Sequence, residues 1–113
     1  MSPGPKERKE LERITKALSG LGFVLPGSLI ERSARCGRES CRCHEDPPRL
    51  HGPYHQWTRK IPPDNKTVTR LFSDEQVAEY GPWFENERKA RRLIAELEAL
   101  SLSIVDADPR WKR

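Results

Sequence analysis

The chain has 113 residues, of which 35% are hydrophobic and 34% charged, with a formal net charge of +4. That length and composition allow one marginal core, the kind that uses a metal ion, disulfides or a partner chain as a staple. They exclude a membrane-spanning apolar run, and "MSPGPKERKELER" lacks the apolar centre of a secretion signal, so a cytoplasmic protein without a membrane partner is expected.

"KERKELERITKALSGLG" predicts a first helix, because Leu11, Ile14, Leu18 and Leu21 recur on one face and Gly20 and Gly22 supply a stop. "PGSLIERSAR" then gives a Pro-Gly turn and a short extended run. A polar loop follows, and after it "YHQWTRKI" and "KTVTRLF" read as strands rich in aromatic and β-branched residues. "PPDN" joins them as a turn longer than a tight hairpin. Ser73 with Gln76 matches a capping box that opens a short helix, which Gly81 ends. Pro82 sits in the first turn of the final helix, which runs to about Ala107 with Pro109 beyond it.

The expected fold is therefore α+β: an N-terminal helix, a three-stranded antiparallel sheet interrupted by a zinc-knuckle loop, and a C-terminal helical hairpin with one long helix. Residues 1–5 are expected to be disordered, 6–108 to form a single zinc-stabilised domain, and 109–113 to be a basic tail with Trp111 exposed. The final helix carries Ala90, Leu93, Leu97, Leu100 and Ile104 in one seam. That seam either packs on the first helix or serves as an interaction helix for a protein partner or a second copy.

All three cysteines and all three histidines lie between residues 36 and 57. Thiols in a reducing compartment bind metal more often than they pair, and an odd number argues against a closed disulfide framework. Cys36, Cys41, Cys43 and His51 offer three thiolates and an imidazole, a standard set for one structural Zn2+ per chain. His44 and His55 remain rival fourth ligands. Arg35, Arg38 and Arg42, threaded through the loop, offset the charge of the thiolates, and Arg35 and Arg38 flank Cys36 closely enough to lower thiol pKa values. No carboxylate pair, triad or phosphate loop accompanies the cysteines, and Glu45 with Asp46 reads as a solvated pair, so neither an enzyme nor a small-molecule substrate is expected.

The stretches "CGRESCRC", "LHGPYHQWTRK" and "KTVTRLFSDEQ", followed by a charged helix, resemble a family of small prokaryotic proteins catalogued as a domain of unknown function. The resemblance spans roughly residues 18–111, with Cys36, Cys41, Cys43, His51, Gly52, Pro53 and Tyr54 on its most specific motif. It implies a family often met near mobile genetic elements and no settled activity.

Residues 28–72 carry nine basic and five acidic side chains, a local charge of 9 − 5 = +4 that suits a polyanion such as DNA or RNA. Alternation places His55, Trp57, Arg59 and Ile61 on one side of a strand and Tyr54, Gln56, Thr58 and Lys60 on the other. The Trp57 side is the expected core face, with Phe72, Trp83 and Phe84 also in the core. Lys66, Thr67, Thr69, Arg70 and Arg32 are expected to extend the polar face. Small sheets of this kind serve as DNA-binding modules in integrases, an analogy of fold. Expected phosphate contacts are Arg32, Arg35, Arg38, Arg42, Arg59, Lys60, Lys66 and Arg70.

Overall fold

The computed structural model describes residues 3–111, so Met1 and Ser2 of the expected disordered start and Lys112 and Arg113 of the basic tail lie outside the described residues. The elements are α1 (Pro5–Ser19), β1 (Ser28–Ala34), β2 (His51–Ile61), β3 (Lys66–Phe72) and α2 (Asp74–Asp106), an α+β arrangement as the sequence predicts. The chain divides into two compact units: a helical unit of Met1–Val24 with Glu85–Arg113, and a sheet unit of Leu25–Phe84.

In the helical unit, α1 starts at Pro5, whose fixed φ and missing N–H suit the first helical position. Glu7 in the first turn and Lys16 in the last complement the helix dipole. Of the predicted face, Ile14 is buried, Leu18 and Leu21 are half-buried and Leu11 is exposed. On the distal part of α2, Leu93 is buried while Ala90, Leu97, Leu100 and Ile104 are half-buried. Arg13 donates to Glu96 at 3.4 Å, and the Asn86 amide donates to the Phe23 carbonyl at 2.9 Å. The seam therefore packs inside the unit. A second stripe, Ile94, Leu102 and Val105, faces outward.

The capping box at the start of α2 forms as read: Ser73 N–H donates to Gln76 Oε1 at 2.8 Å, and Gln76 N–H to Ser73 Oγ at 3.1 Å. The helical hairpin expected after it does not form. Helix α2 runs unbroken through Gly81 and Pro82. A proline inside a helix removes one hydrogen bond, crowds the carbonyl four residues back, and clashes with the N–H and Cβ of the residue before it. Gly81 has no Cβ, and open space surrounds the place where one would sit. Burial of the neighbouring Phe84 and the ring contacts of Tyr80 and Trp83 offset the lost bond.

The sheet has the order β1-β2-β3, antiparallel throughout. Strand β2 begins at His51, three residues before the predicted start, and its register with β1 shifts between Arg32↔Tyr54 and Ala34↔His51. Gly52, at φ 109, takes up that irregularity in a conformation closed to most side chains.

Directly paired residues share a face. One face holds Leu29 and Glu31 with His55, Trp57, Arg59 and Ile61, and with Lys66, Val68, Arg70 and Phe72. The other holds Ile30 and Arg32 with Tyr54, Gln56, Thr58 and Lys60, and with Thr67, Thr69 and Leu71. Lys66 and Arg70 thus belong to the Trp57 face, opposite Ile61 and Trp57, and not to the polar face where they were expected. The pleat allows no other outcome once Thr67 and Thr69 pair with Lys60 and Thr58.

The start of α2 covers the Trp57 face with an aromatic cluster. Ring centroids lie 5.5 Å apart for Trp57–Phe72, 5.9 Å for Phe72–Tyr80, 6.5 Å for Trp57–Phe84 and 4.9 Å for Tyr80–Trp83. The Trp57 indole N–H donates to the Pro26 carbonyl at 2.9 Å, which ties the turn before β1 to β2. Gly27, at φ 96, makes that turn possible: a Cβ there would sit 2.3 Å from the Thr58 carbonyl oxygen. Gly27→Ala is expected to destabilise the protein by about 1–3 kcal/mol, measured as a fall in the urea midpoint at unchanged m-value.

Candidate metal centre

Four ligand atoms converge at one end of the β1–β2 pair. Strand β1 ends at Ala34, which is paired with His51 at the start of β2, so Cys36 and His51 emerge side by side. The intervening chain folds into a knuckle. Cys41 N–H donates to the Arg38 carbonyl at 3.1 Å, and a 3-10 turn, Arg42–His44, closes with His44 N–H on the Cys41 carbonyl at 3.0 Å. Arg49 N–H returns to the Arg42 carbonyl at 3.1 Å and leads the chain to His51.

The Cys36 and Cys43 sulfurs lie 3.6 Å apart, His51 Nε2 lies 3.2 Å from Cys41 Sγ, and all four ligand atoms fall within 4.8 Å of one another. Zinc about 2.3 Å from each sulfur sets tetrahedral sulfur–sulfur edges of about 3.8 Å, so the donor set fits with small adjustments. The thiols are free; 3.6 Å is far beyond the roughly 2.05 Å of a disulfide. Three thiolates and an imidazole leave no open position for a substrate, which is the pattern of a structural site.

Each thiol has its own surroundings. Cys43 is fully buried, and that burial pushes its pKa up. Its sulfur also accepts the Cys36 backbone N–H at 3.3 Å. The Cys41 thiol is lowered to about 6, first by a hydrogen bond from the Cys43 backbone and then by its sulfur and imidazole neighbours. The rival histidines are engaged elsewhere: His44 Nε2 meets the Cys36 carbonyl at 2.7 Å, and His55 Nε2 meets Asp74 Oδ1 at 3.1 Å.

The basic candidates separate into three groups. Arg32 and Lys60 are exposed on the polar face, where Thr58 and Thr69 hydroxyls lie 3.5 Å apart. Arg35, Arg38 and Arg42 are exposed around the metal loop. Arg59, Lys66 and Arg70 occupy the opposite side of the sheet; the Arg59 guanidinium is half-buried, 5.1 Å over the Trp57 ring, and is better placed to pack than to meet phosphate. Arg49, also exposed in the loop, was not among the expected contacts and has no sequence signal beyond its charge.

Ion pairs within the helical unit engage Arg13 with Glu10 and Glu96, Arg88 with Glu85, Arg91 with Glu87, and Arg110 with Asp108. Among the described residues of the sheet unit, no lysine or arginine makes one.

No curated protein and no solved structure matches the chain. A family match covers residues 5–81, from the start of α1 into α2, where the resemblance was expected over 18–111. On that match the chain belongs to the family described as Domain of unknown function (DUF6788).

Proposed function

We propose that this protein is a zinc-stabilised, non-enzymatic nucleic-acid-binding accessory protein, with DNA the favoured partner. The observation that carries the reading is a contrast among the described residues: Arg13, Arg88, Arg91 and Arg110 of the helical unit are paired with carboxylates, while none of the exposed cations around the metal loop and polar face is. Cations left without protein partners are free to replace the counterions of a polyanion. Three thiolates and one imidazole around Zn2+ carry a formal charge of 2 − 3 = −1, so the +4 of residues 28–72 falls to +3 when metal is bound. The residual charge still favours phosphate. An accessory DNA binder would suit the mobile-element setting that the family resemblance suggests, and three free thiols suit a reducing cytoplasm.

Mobility-shift titrations with duplex DNA and structured RNA across a salt series test the proposal. Affinity should fall steeply with salt, and Arg35→Ala, Arg38→Ala and Arg42→Ala should each reduce the log–log slope by about one. Salt-independent binding, or none at micromolar protein, overturns it.

A second reading, a protein-interaction module, draws on the outward stripe Ile94, Leu102 and Val105. The predicted seam through Leu93 and Leu97 faces inward, so the outward stripe would carry any self-association. In this reading light scattering detects a dimer that Leu102→Lys converts to monomer without lowering the melting temperature; a monomeric parent protein removes the case.

A further inference from the structure

A cleft of about 470 Å3 opens beside the sheet, lined by Leu25, Trp57, Arg70, Phe72, Tyr80 and Trp83. Its size is within the roughly 300–1,000 Å3 of ligand sites. We infer that this cleft receives an unpaired nucleobase, with the adjoining phosphate on Arg70. The inference rests on the nucleic-acid reading above and names the form of nucleic acid that one surface takes.

Three observations favour this guest. The walls are flat rings, and every base offers a face to stack on aromatic side chains. The rim is built of donors. Arg70 has no ion pair among the described residues, and Gln76, whose Oε1 is already taken by Ser73 N–H, presents its NH2 group. Tyr80 adds a hydroxyl. Such a rim suits a ligand rich in acceptors, as phosphates and base carbonyls are.

The nearby acids do not oppose it: Asp74 is engaged with His55, and neither Glu75 nor Glu79 lines the cleft. A base within a stacked duplex cannot enter such a cleft, so the guest is a tail, a loop or an extruded base.

Zinc-loaded full-length protein, titrated with a blunt duplex and with the same duplex carrying a short thymidine tail, tests the assignment by fluorescence anisotropy. Stacking on aromatic side chains predicts roughly 5- to 150-fold tighter binding of the tailed duplex. The indole N–H signals of Trp57 and Trp83 should shift in the nuclear magnetic resonance spectrum while that of Trp111 stays in place. Arg70→Ala, an exposed position whose truncation leaves the core intact, should abolish the preference for the tail. Equal affinity for both duplexes with unshifted Trp83 overturns this inference and leaves the nucleic-acid reading standing. Failure to bind either duplex overturns both. Shifts at Trp83 induced by N-acetylphenylalanine and not by thymidine oligonucleotides would overturn it in favour of a peptide site.

Discussion

Purified, untagged protein is expected to carry one zinc per chain, and a strong chelator should unfold the sheet unit. Binding free energies of structural zinc reach about 10–16 kcal/mol near neutral pH, as large as the whole 5–15 kcal/mol stability of a typical domain. The sheet unit has little else to rely on. Among its described residues only Cys43 and Phe84 are buried apolar side chains, and Cys43 is itself one of the four candidate ligands. Removing the ion leaves three thiols and an imidazole clustered without their common partner, and the connection between β1 and β2 loses its closure. Cys43→Ala should have the same effect, because it removes a ligand and the acceptor of the Cys36 N–H together. Elemental analysis gives the stoichiometry, and a red shift of tryptophan emission on chelation, from Trp57 and Trp83 of the sheet unit, reports the unfolding. A metal-free chain that melts cooperatively and unchanged in chelator would refute the site's structural role.

Phe84→Ala is expected to cost about 3–5 kcal/mol, most of the stability of a domain this small. Phe84 is only 4% exposed and packs at 6.5 Å from Trp57 and 6.4 Å from Phe72, at the centre of the cluster that joins α2 to the sheet. The truncation removes buried area and leaves a cavity between rigid rings that cannot collapse into it. Denaturant unfolding followed by tryptophan fluorescence measures the loss. Phe84→Leu, closer in volume, should recover a large part of it. A fall of less than about 1 kcal/mol in the alanine variant would mean that the cluster is not the core of its unit.

Much of this architecture is legible locally. Strand β3 occupies "KTVTRLF" as read, since β-branched residues bounded by turn and capping signals leave little choice. The capping box at Ser73 and Gln76 is a short-range hydrogen-bond pattern and formed as such. Ligand chemistry singled out the cysteines, and the return loop ending at His51 completes the quartet. His44 is drawn away from the quartet by its contact with the Cys36 carbonyl, which sequence spacing does not encode.

The misreadings have physical causes too. Gly52 and Pro53 look like loop residues, yet β2 starts before them because Ala34↔His51 pairing is imposed across the metal end. Gly81-Pro82 looks like a break, but the missing Cβ of Gly81 and the packing of Tyr80, Trp83 and Phe84 carry the helix through. Lys66 and Arg70 were grouped with Thr67 and Thr69 by chemical type, whereas the alternation of the strand separates them. That separation places Arg70 opposite Trp57 and beside the aromatic cleft.

Ligand pairing at the open end of β1 and β2 also bears on how quickly the chain finds its shape. Strands separated by the 35–50 segment must close a long loop before any ladder bond rewards them, and such non-local contacts slow folding. An ion captured early by Cys36, Cys41, Cys43 and His51 would shorten that search to a hairpin, zipping from Ala34↔His51 toward Ser28↔Thr58. The refolding rate should therefore rise with free zinc concentration before it saturates, making the metal a kinetic nucleus as well as a clasp.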